Sequence, residues 1–128
     1  MAGPTQSGMT LKLELFVDGI EAATDFYSRV LAFKIGEREP GGYTAMTNGA
    51  AQIALNPRSN LPNQARAKER PGRGLEIVLE VDDVEAMCAR VRACGWPLAS
   101  PLKTQSWGQT DFRLADPDGY QLRITSRR

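Results

Sequence analysis

The sequence predicts an α+β chain built from two tandem βαβββ modules, and three observations carry that prediction. "LELFVDGIEAA" (13–23) and "IVLEVDDVEAM" (77–87) match at an offset of 64 residues, half the 128-residue chain, and internal repetition of this kind dictates the architecture. In each copy, alternating apolar residues (Leu13, Leu15, Val17; Ile77, Leu79, Val81) switch to a helical stripe at i, i+3, i+7, i+10 (Ile20, Ala23, Tyr27, Val30; Val84, Met87, Val91, Cys94). Each helix is followed by three short runs with strand periodicity, separated by turn residues.

The elements follow in order. The first strands end at Asp18 and Asp82, each three positions before a Glu (Glu21, Glu85), which predicts capping boxes. Gly95 stands where a C′ residue closes the second helix, and Ala32 holds the matching place in the first, where positive φ costs more. Strands are expected at Phe33–Glu39, Tyr43–Thr47 and Gln52–Leu55, and again at Trp96–Leu102, Thr110–Ala115 and Tyr120–Thr125. Asn48-Gly49 reads as the two-residue loop of a hairpin, pairing Tyr43 with Ala54 and Ala45 with Gln52. "DPDG" (116–119) turns the second hairpin. Module one thus spans 11–55 and module two 75–126. Residues 56–74, polar and carrying five Lys/Arg against one Glu, read as a linker or mobile flap.

Composition narrows function. With 41% hydrophobic residues the chain suits one domain with a sizeable core. A net charge of +1 gives no field to favour nucleic acid or an anionic membrane. No apolar run has spanning length, and "MAGPTQSGMT" lacks the regions of a signal peptide, so a cytoplasmic location is expected. Cys88 and Cys94 fall on one helix, roughly 9 Å apart along its axis, too far for a disulfide. Histidine is absent, which removes the commonest general base and metal ligand and rules out a His-dependent triad.

Paired modules carrying "FVDGIEAATDFYSRVLAFKIG", "EVDDVEAMCARVRACGWP" and "WGQTDFRLADPDGYQLRI" resemble the vicinal oxygen chelate superfamily, which includes glyoxalase I, extradiol dioxygenases and bleomycin-resistance proteins. The resemblance covers residues 11–126. It implies sheets curled around a shared cleft, with helices outside. It also implies metal ligands at cleft-facing positions in the enzymes, which by spacing are Lys12, Ala54, Glu76 and Arg123 here. A guanidinium cannot ligate a cation, Ala54 has no donor, and Lys12 would have to lose its proton. A divalent site needs three or more protein ligands, so no metal and no other cofactor is expected.

Strand alternation places Lys12, Glu14 and Phe16, then Glu76, Val78 and Glu80, on the face away from the helices. Asp111, Arg113, Gln121, Arg123 and Thr125 join them. Phe16 and Tyr43 are apolar plates among orienting charges, the mixture expected of a small-molecule site. Lys12, Glu76 and Arg123 read equally well as an ion-pair cluster neutralised by Glu14 or Asp111. Trp107, beside Gly108, stands nine residues before Asp116, as does the groove Trp of bleomycin-resistance-like proteins; otherwise it covers the rim. Trp96 reads as core.

The ligand-binding set is therefore Lys12, Glu14, Phe16, Tyr43, Glu76, Trp107, Asp111, Arg113 and Arg123. The function expected is metal-free sequestration of an aromatic or polycyclic natural product, an antibiotic among them, in a homodimer groove that the resemblance implies. The alternative is a metal-independent isomerase or cyclase using Glu76 or Glu14 as base, with Arg123 or Lys12 steadying an oxyanion. A purely interacting module is a third reading.

Overall fold

The computed structural model describes residues 8–61 and 74–127. Strand β1 (Leu13–Val17) leads into helix α1 (Ile20–Asp25), which widens into a π-helical turn over Phe26–Val30. Strands β2 (Lys34–Arg38), β3 (Thr44–Asn48) and β4 (Ala51–Pro57) complete the first module, and a 3₁₀ turn (Arg58–Asn60) follows. The second module comprises β5 (Ile77–Val81), α2 (Val84–Ala93), β6 (Ser100–Thr104), β7 (Thr110–Ala115) and β8 (Gln121–Ser126). Each module forms its own four-stranded mixed sheet, in order β1-β4-β3-β2 and β5-β8-β7-β6. The parallel pairs β1–β4 and β5–β8 flank antiparallel hairpins, so β1 and β5 are edge strands.

The first helical stripe packs as its periodicity predicts, whereas in the second Cys88 is buried and the expected Met87 and Cys94 are only partly buried. Ala23, Tyr27 and Val30 from the first, and Val84, Cys88 and Val91 from the second, join Leu15, Val17, Ile53, Leu55, Leu114, Leu122 and Ile124 in one continuous core. Phe26 bridges the modules, its ring 4.9 Å from Tyr27 and 4.8 Å from Trp96. A large apolar side chain buried this fully contributes about 1.5–3 kcal/mol. Trp96 is half-buried against this core and donates its indole N–H to the Ala115 carbonyl at 2.8 Å. Both cysteines are free thiols.

The helix ends depart from the predicted capping. Gly19, not Asp18, is the N-cap of α1, with no side-chain cap; Asp18 instead meets Arg58 at 2.7 Å, while its amide donates to Asp118 Oδ1. In the second module the cap is Asp83, one residue beyond the expected Asp82, and it accepts from the Ala86 amide at 2.9 Å. Asp82 is drawn away by Arg127 at 2.7 Å. In both modules the helix starts one residue later than predicted, so the expected cap falls just before the N-cap and meets an arginine instead.

The closing turns follow sequence more closely. Gly95 lies at φ +74°, with Gly95 N–H on the Arg92 carbonyl and Trp96 N–H on that of Val91, a Schellman closure. Ala32 takes the same left-handed conformation at φ +63° without glycine's freedom. The π-turn that precedes it coincides with back-bonding hydroxyls: Thr24 Oγ1 on the Ile20 carbonyl and Ser28 Oγ on that of Thr24.

The first hairpin shifts register. Asn48 pairs with Ala51, Ala45 with Ala54 and Thr47 with Gln52, two positions from the expected Tyr43–Ala54 and Ala45–Gln52 pairing. Gly49 (φ +57°), not Asn48, takes the first loop position, with Ala50 second, as a II′ turn requires. Asn48 stays in the strand because its side-chain amide donates to the Leu31 and Ala32 carbonyls. A shift of two keeps every side chain on its predicted face.

Strand β6 starts at Ser100, leaving Trp96 and Leu98 outside it. Residues 56–60, expected to belong to the linker, are partly built into the fold: Asn56 and Pro57 extend β4, and Asn56 donates to Glu14 at 3.0 Å. Residues 62–73 of that segment lie outside the described residues.

Candidate functional site

On the helix-averted face of the first sheet, Lys12 Nζ donates to Tyr43 Oη at 3.0 Å and sits 5.7 Å from the ring centroid. That hydrogen bond raises the Lys12 ammonium above its ordinary pKa. Phe16 and Tyr43 are half-buried, and Glu14 is exposed and tied to Asn56.

The same face of the second sheet is more heavily charged. Glu76 Oε2 accepts from Arg113 Nε at 2.6 Å. Arg123 sits beside Val78 on one side and Arg113 on the other in the ladder. The carboxylate of Asp111 is almost wholly buried, 2% exposed, and its Oδ1 accepts from Gln105 Nε2 at 2.9 Å. Arg123 Nη1 approaches Asp111 Oδ2 only to 4.0 Å, too long for a hydrogen bond. Asp111 Oδ2 and Arg123 Nε are both buried and without a hydrogen-bond partner among the described residues. Native structures rarely leave such atoms unpaired, so each invites an explanation.

The expected ion-pair cluster of Lys12, Glu76 and Arg123 is not formed. Lys12 turns to a phenol, Glu76 to Arg113, and Arg123 to Asp111. Among the described residues, no hydrogen bond or salt bridge joins the first-sheet set to the second-sheet set. The structure thus presents two half-sites, one per module.

Trp107 is 50% exposed at the tip of the β6–β7 hairpin, within a turn rather than simply ahead of a strand. Gly108 N–H bonds the Gln105 carbonyl at 3.0 Å, and Gly108's φ of +98° explains the glycine: the turn needs a left-handed residue there. The indole N–H donates to Gln109 Oε1 at 2.9 Å, and Gln109 Nε2 in turn holds the Ser126 carbonyl. Gln105 and Gln109, which position Asp111 and Trp107, were not singled out by sequence reasoning. Their one signal is that both flank Trp107 in "QSWGQ".

The four positions at which the resemblance implies metal ligands fall into equivalent places of the two modules. Leu13 pairs with Ile53 as Ile77 pairs with Leu122, so Lys12 matches Glu76 and Ala54 matches Arg123. An ammonium, a methyl, a salt-bridged carboxylate and a guanidinium do not make a divalent-metal donor set. Among the described residues no group of three His, Cys, Asp or Glu side chains could hold a metal ion.

Two βαβββ modules, with an edge-strand/helix/hairpin order repeated around one core, define the paired-module class of fold. The chain belongs to the Glyoxalase/Bleomycin resistance protein/Dioxygenase superfamily, whose profile matches residues 10–124. Its structure is similar to that of TioX from Micromonospora sp. ML1, at TM-score 0.82 and 20% identity over 94% of this chain and 100% of that one. It is also similar to lactoylglutathione lyase from Agrobacterium tumefaciens, at TM-score 0.73 and 18% identity over 96% of each chain. A protein of unknown function from Agrobacterium tumefaciens str. C58 gives TM-score 0.73 and 26% identity over 97% of this chain and 98% of that one. No curated protein matches in sequence. Fold alone does not separate binder from enzyme, and the site must. No helix among the described residues is long and apolar enough to cross a membrane.

Proposed function

We propose that the chain is a metal-free small-molecule binding protein, sequestering an aromatic or polycyclic natural product in a groove that a second copy of the chain completes. Antibiotic resistance in the cytoplasm is the biological role this reading favours. The observation that carries it is the unpartnered pair Asp111 Oδ2 and Arg123 Nε, buried on the helix-averted face. A ligand that offers a hydroxyl to Asp111 and a carbonyl or anionic oxygen to Arg123 satisfies both atoms once the partly exposed Arg123 side chain turns aside to admit it, and hydroxyquinones carry these groups side by side. Trp107 supplies a stacking surface nearby, through the Gln105 link to Asp111. Phe16 and Tyr43 add apolar plates from the first-module half-site, which a two-fold copy would bring opposite.

The alternative, a metal-independent isomerase or cyclase, has less support. Glu76 is held by Arg113 and Glu14 by Asn56, bonds that a substrate proton would have to displace.

A thermal-shift panel of hydroxyquinones, anthraquinones and enediynes, with bleomycin as the cationic comparison, tests the reading. A planar, carbonyl-bearing compound should stabilise the chain and be recovered unchanged. Recovery as a new chemical species would establish the enzyme instead. Arg123→Met should weaken the best binder by about 10- to 150-fold, the loss of a hydrogen bond to a charged group. Elemental analysis of chain purified without chelator should find no stoichiometric Zn, Ni, Mn or Fe.

A further inference from the structure

The repeat extends to individual side chains at the boundary between modules. With Leu13 equivalent to Ile77 and Ile53 to Leu122, Phe16 corresponds to Glu80, Asp18 to Asp82 and Arg58 to Arg127. The last two correspondences recur as one physical contact: Arg58 Nε meets Asp18 Oδ1 at 2.7 Å, and Arg127 Nε meets Asp82 Oδ1 at 2.7 Å. At the hairpins, Asn48 pairs with Ala51 as the Asp116 amide pairs with the Tyr120 carbonyl, so Ala51 stands where Tyr120 stands in the second module.

That substitution, with a turn one residue shorter, changes the boundary. Tyr120 lays its phenol against edge strand β1 and donates its hydroxyl to the Phe16 carbonyl at 2.9 Å, and Asp118 closes over the Asp18 amide. Ala51 brings only a methyl toward edge strand β5. A cavity of about 700 Å³ opens there, walled by Ala51, Val81, Met87 and Ile124 and reaching Glu80 and Arg90. That is the size of small-molecule sites.

We infer that this cavity binds a phenol-bearing small molecule. Its ring lies where the Tyr120 ring lies in the other half of the repeat, and its hydroxyl donates to the backbone carbonyl of Glu80, the counterpart of Phe16. As an edge strand, β5 keeps alternate carbonyls free for such a donor. The cavity shares Val78 and Glu80 with the helix-averted face but includes none of Asp111, Arg113 and Arg123, and residues of α2 (Ala86, Met87) and the end of the first helix (Leu31, Ala32) enclose it.

The probe is p-cresol, the tyrosine side chain as a free molecule, titrated into the ¹⁵N-labelled full chain. Saturable shifts should centre on the amides of Ala51 and Glu80–Asp83. Toluene, lacking the hydroxyl, should bind about 2- to 10-fold more weakly. Ala51→Tyr should fill the cavity and abolish the response, and Ala51→Leu serves if the tyrosine variant fails to fold. Trp107→Ala should leave the response intact, which separates this site from the proposed groove. Absence of saturable shifts, or shifts untouched by both Ala51 variants, overturns the inference. So does sedimentation showing that Ala51→Tyr dissociates a dimer in a chain that never bound p-cresol, since a second copy would then be the occupant.

Discussion

Tyr27 donates its hydroxyl to Asp116 Oδ2 at 2.8 Å, so a phenol on the first module's helix is clamped by the turn carboxylate of the second. The same carboxylate accepts the Asp118 and Tyr120 amides through Oδ1, which orders the Asp-Pro-Asp-Gly turn. One buried acid therefore couples hairpin geometry to module packing.

Tyr27→Phe keeps the ring contacts with Phe26 and Phe33 but leaves Asp116 Oδ2 unpaired. A loss of about 1–3 kcal/mol at neutral pH is expected by urea denaturation. Burial already holds the Asp116 carboxyl above its ordinary pKa, against the lowering effect of its hydrogen bonds. The folded state thus binds this proton more tightly than the unfolded state. The contribution of Asp116 is most favourable below the ordinary carboxylate range and declines as pH rises through the folded value. Without the Tyr27 bond the folded value climbs further, so the deficit of Tyr27→Phe should shrink on acidification toward pH about 4. A deficit that is flat with pH would refute the coupling.

Ala32→Gly should stabilise the chain. Alanine at φ +63° bears a left-handed cost of about 1–2 kcal/mol, and glycine's extra unfolded-state entropy returns about 0.5–1 of it. A gain of about 0.5–1 kcal/mol is expected. Gly95→Ala is the converse: nothing lies within 4 Å of a Cβ added there, so its φ of +74° alone should cost about 1 kcal/mol.

Trp107→Ala should weaken an aromatic ligand by about 1–3 kcal/mol, since stacked aromatic anchors dominate such sites. Half-exposed at a hairpin tip, the residue should cost the fold little. Trp96→Phe is the control. It strands the Ala115 carbonyl and disturbs the Phe26 contact, so stability should fall with affinity unchanged. Ligand quenching of fluorescence should vanish in Trp107→Ala and persist in Trp96→Phe.

Sedimentation at micromolar concentration should show a two-fold dimer rather than a 14.0 kDa monomer. The two half-sites sit on separate sheets, and among the described residues the outer edges of β1 and β5 carry no strand partner. A second copy would bring one half-site against the other. A monomer that binds ligand with full affinity would defeat this.

Much of the fold was legible because the chain states it twice. Strand and helix periods at Leu13–Val30 and Ile77–Cys94 required only local alternation to read, and the helix stop at Gly95 required only one residue's dihedral freedom. The assignment of Tyr43 and Ala54 to the helix-averted face survived a two-residue slip in the first hairpin, because side-chain period is two. The slip itself was not legible: Asn48 leaves the loop for the strand only because its amide finds the Leu31 and Ala32 carbonyls, seventeen and sixteen residues away in sequence. The one-residue displacement of both caps was not legible either, nor was the long-range pairing of Asp18 and Asp82 with Arg58 and Arg127.

By itself the sequence determined the repeated module, the faces of its strands and the chemistry missing from the metal positions, because these follow from residue identity and short-range period. Tertiary structure alone decided which charges pair, which buried atoms of Asp111 and Arg123 stay unsatisfied, and where Ala51 leaves open a space whose counterpart Tyr120 fills. Those outcomes depend on distances between residues far apart in the chain, and the competition among such long-range partners is settled only when the core has packed.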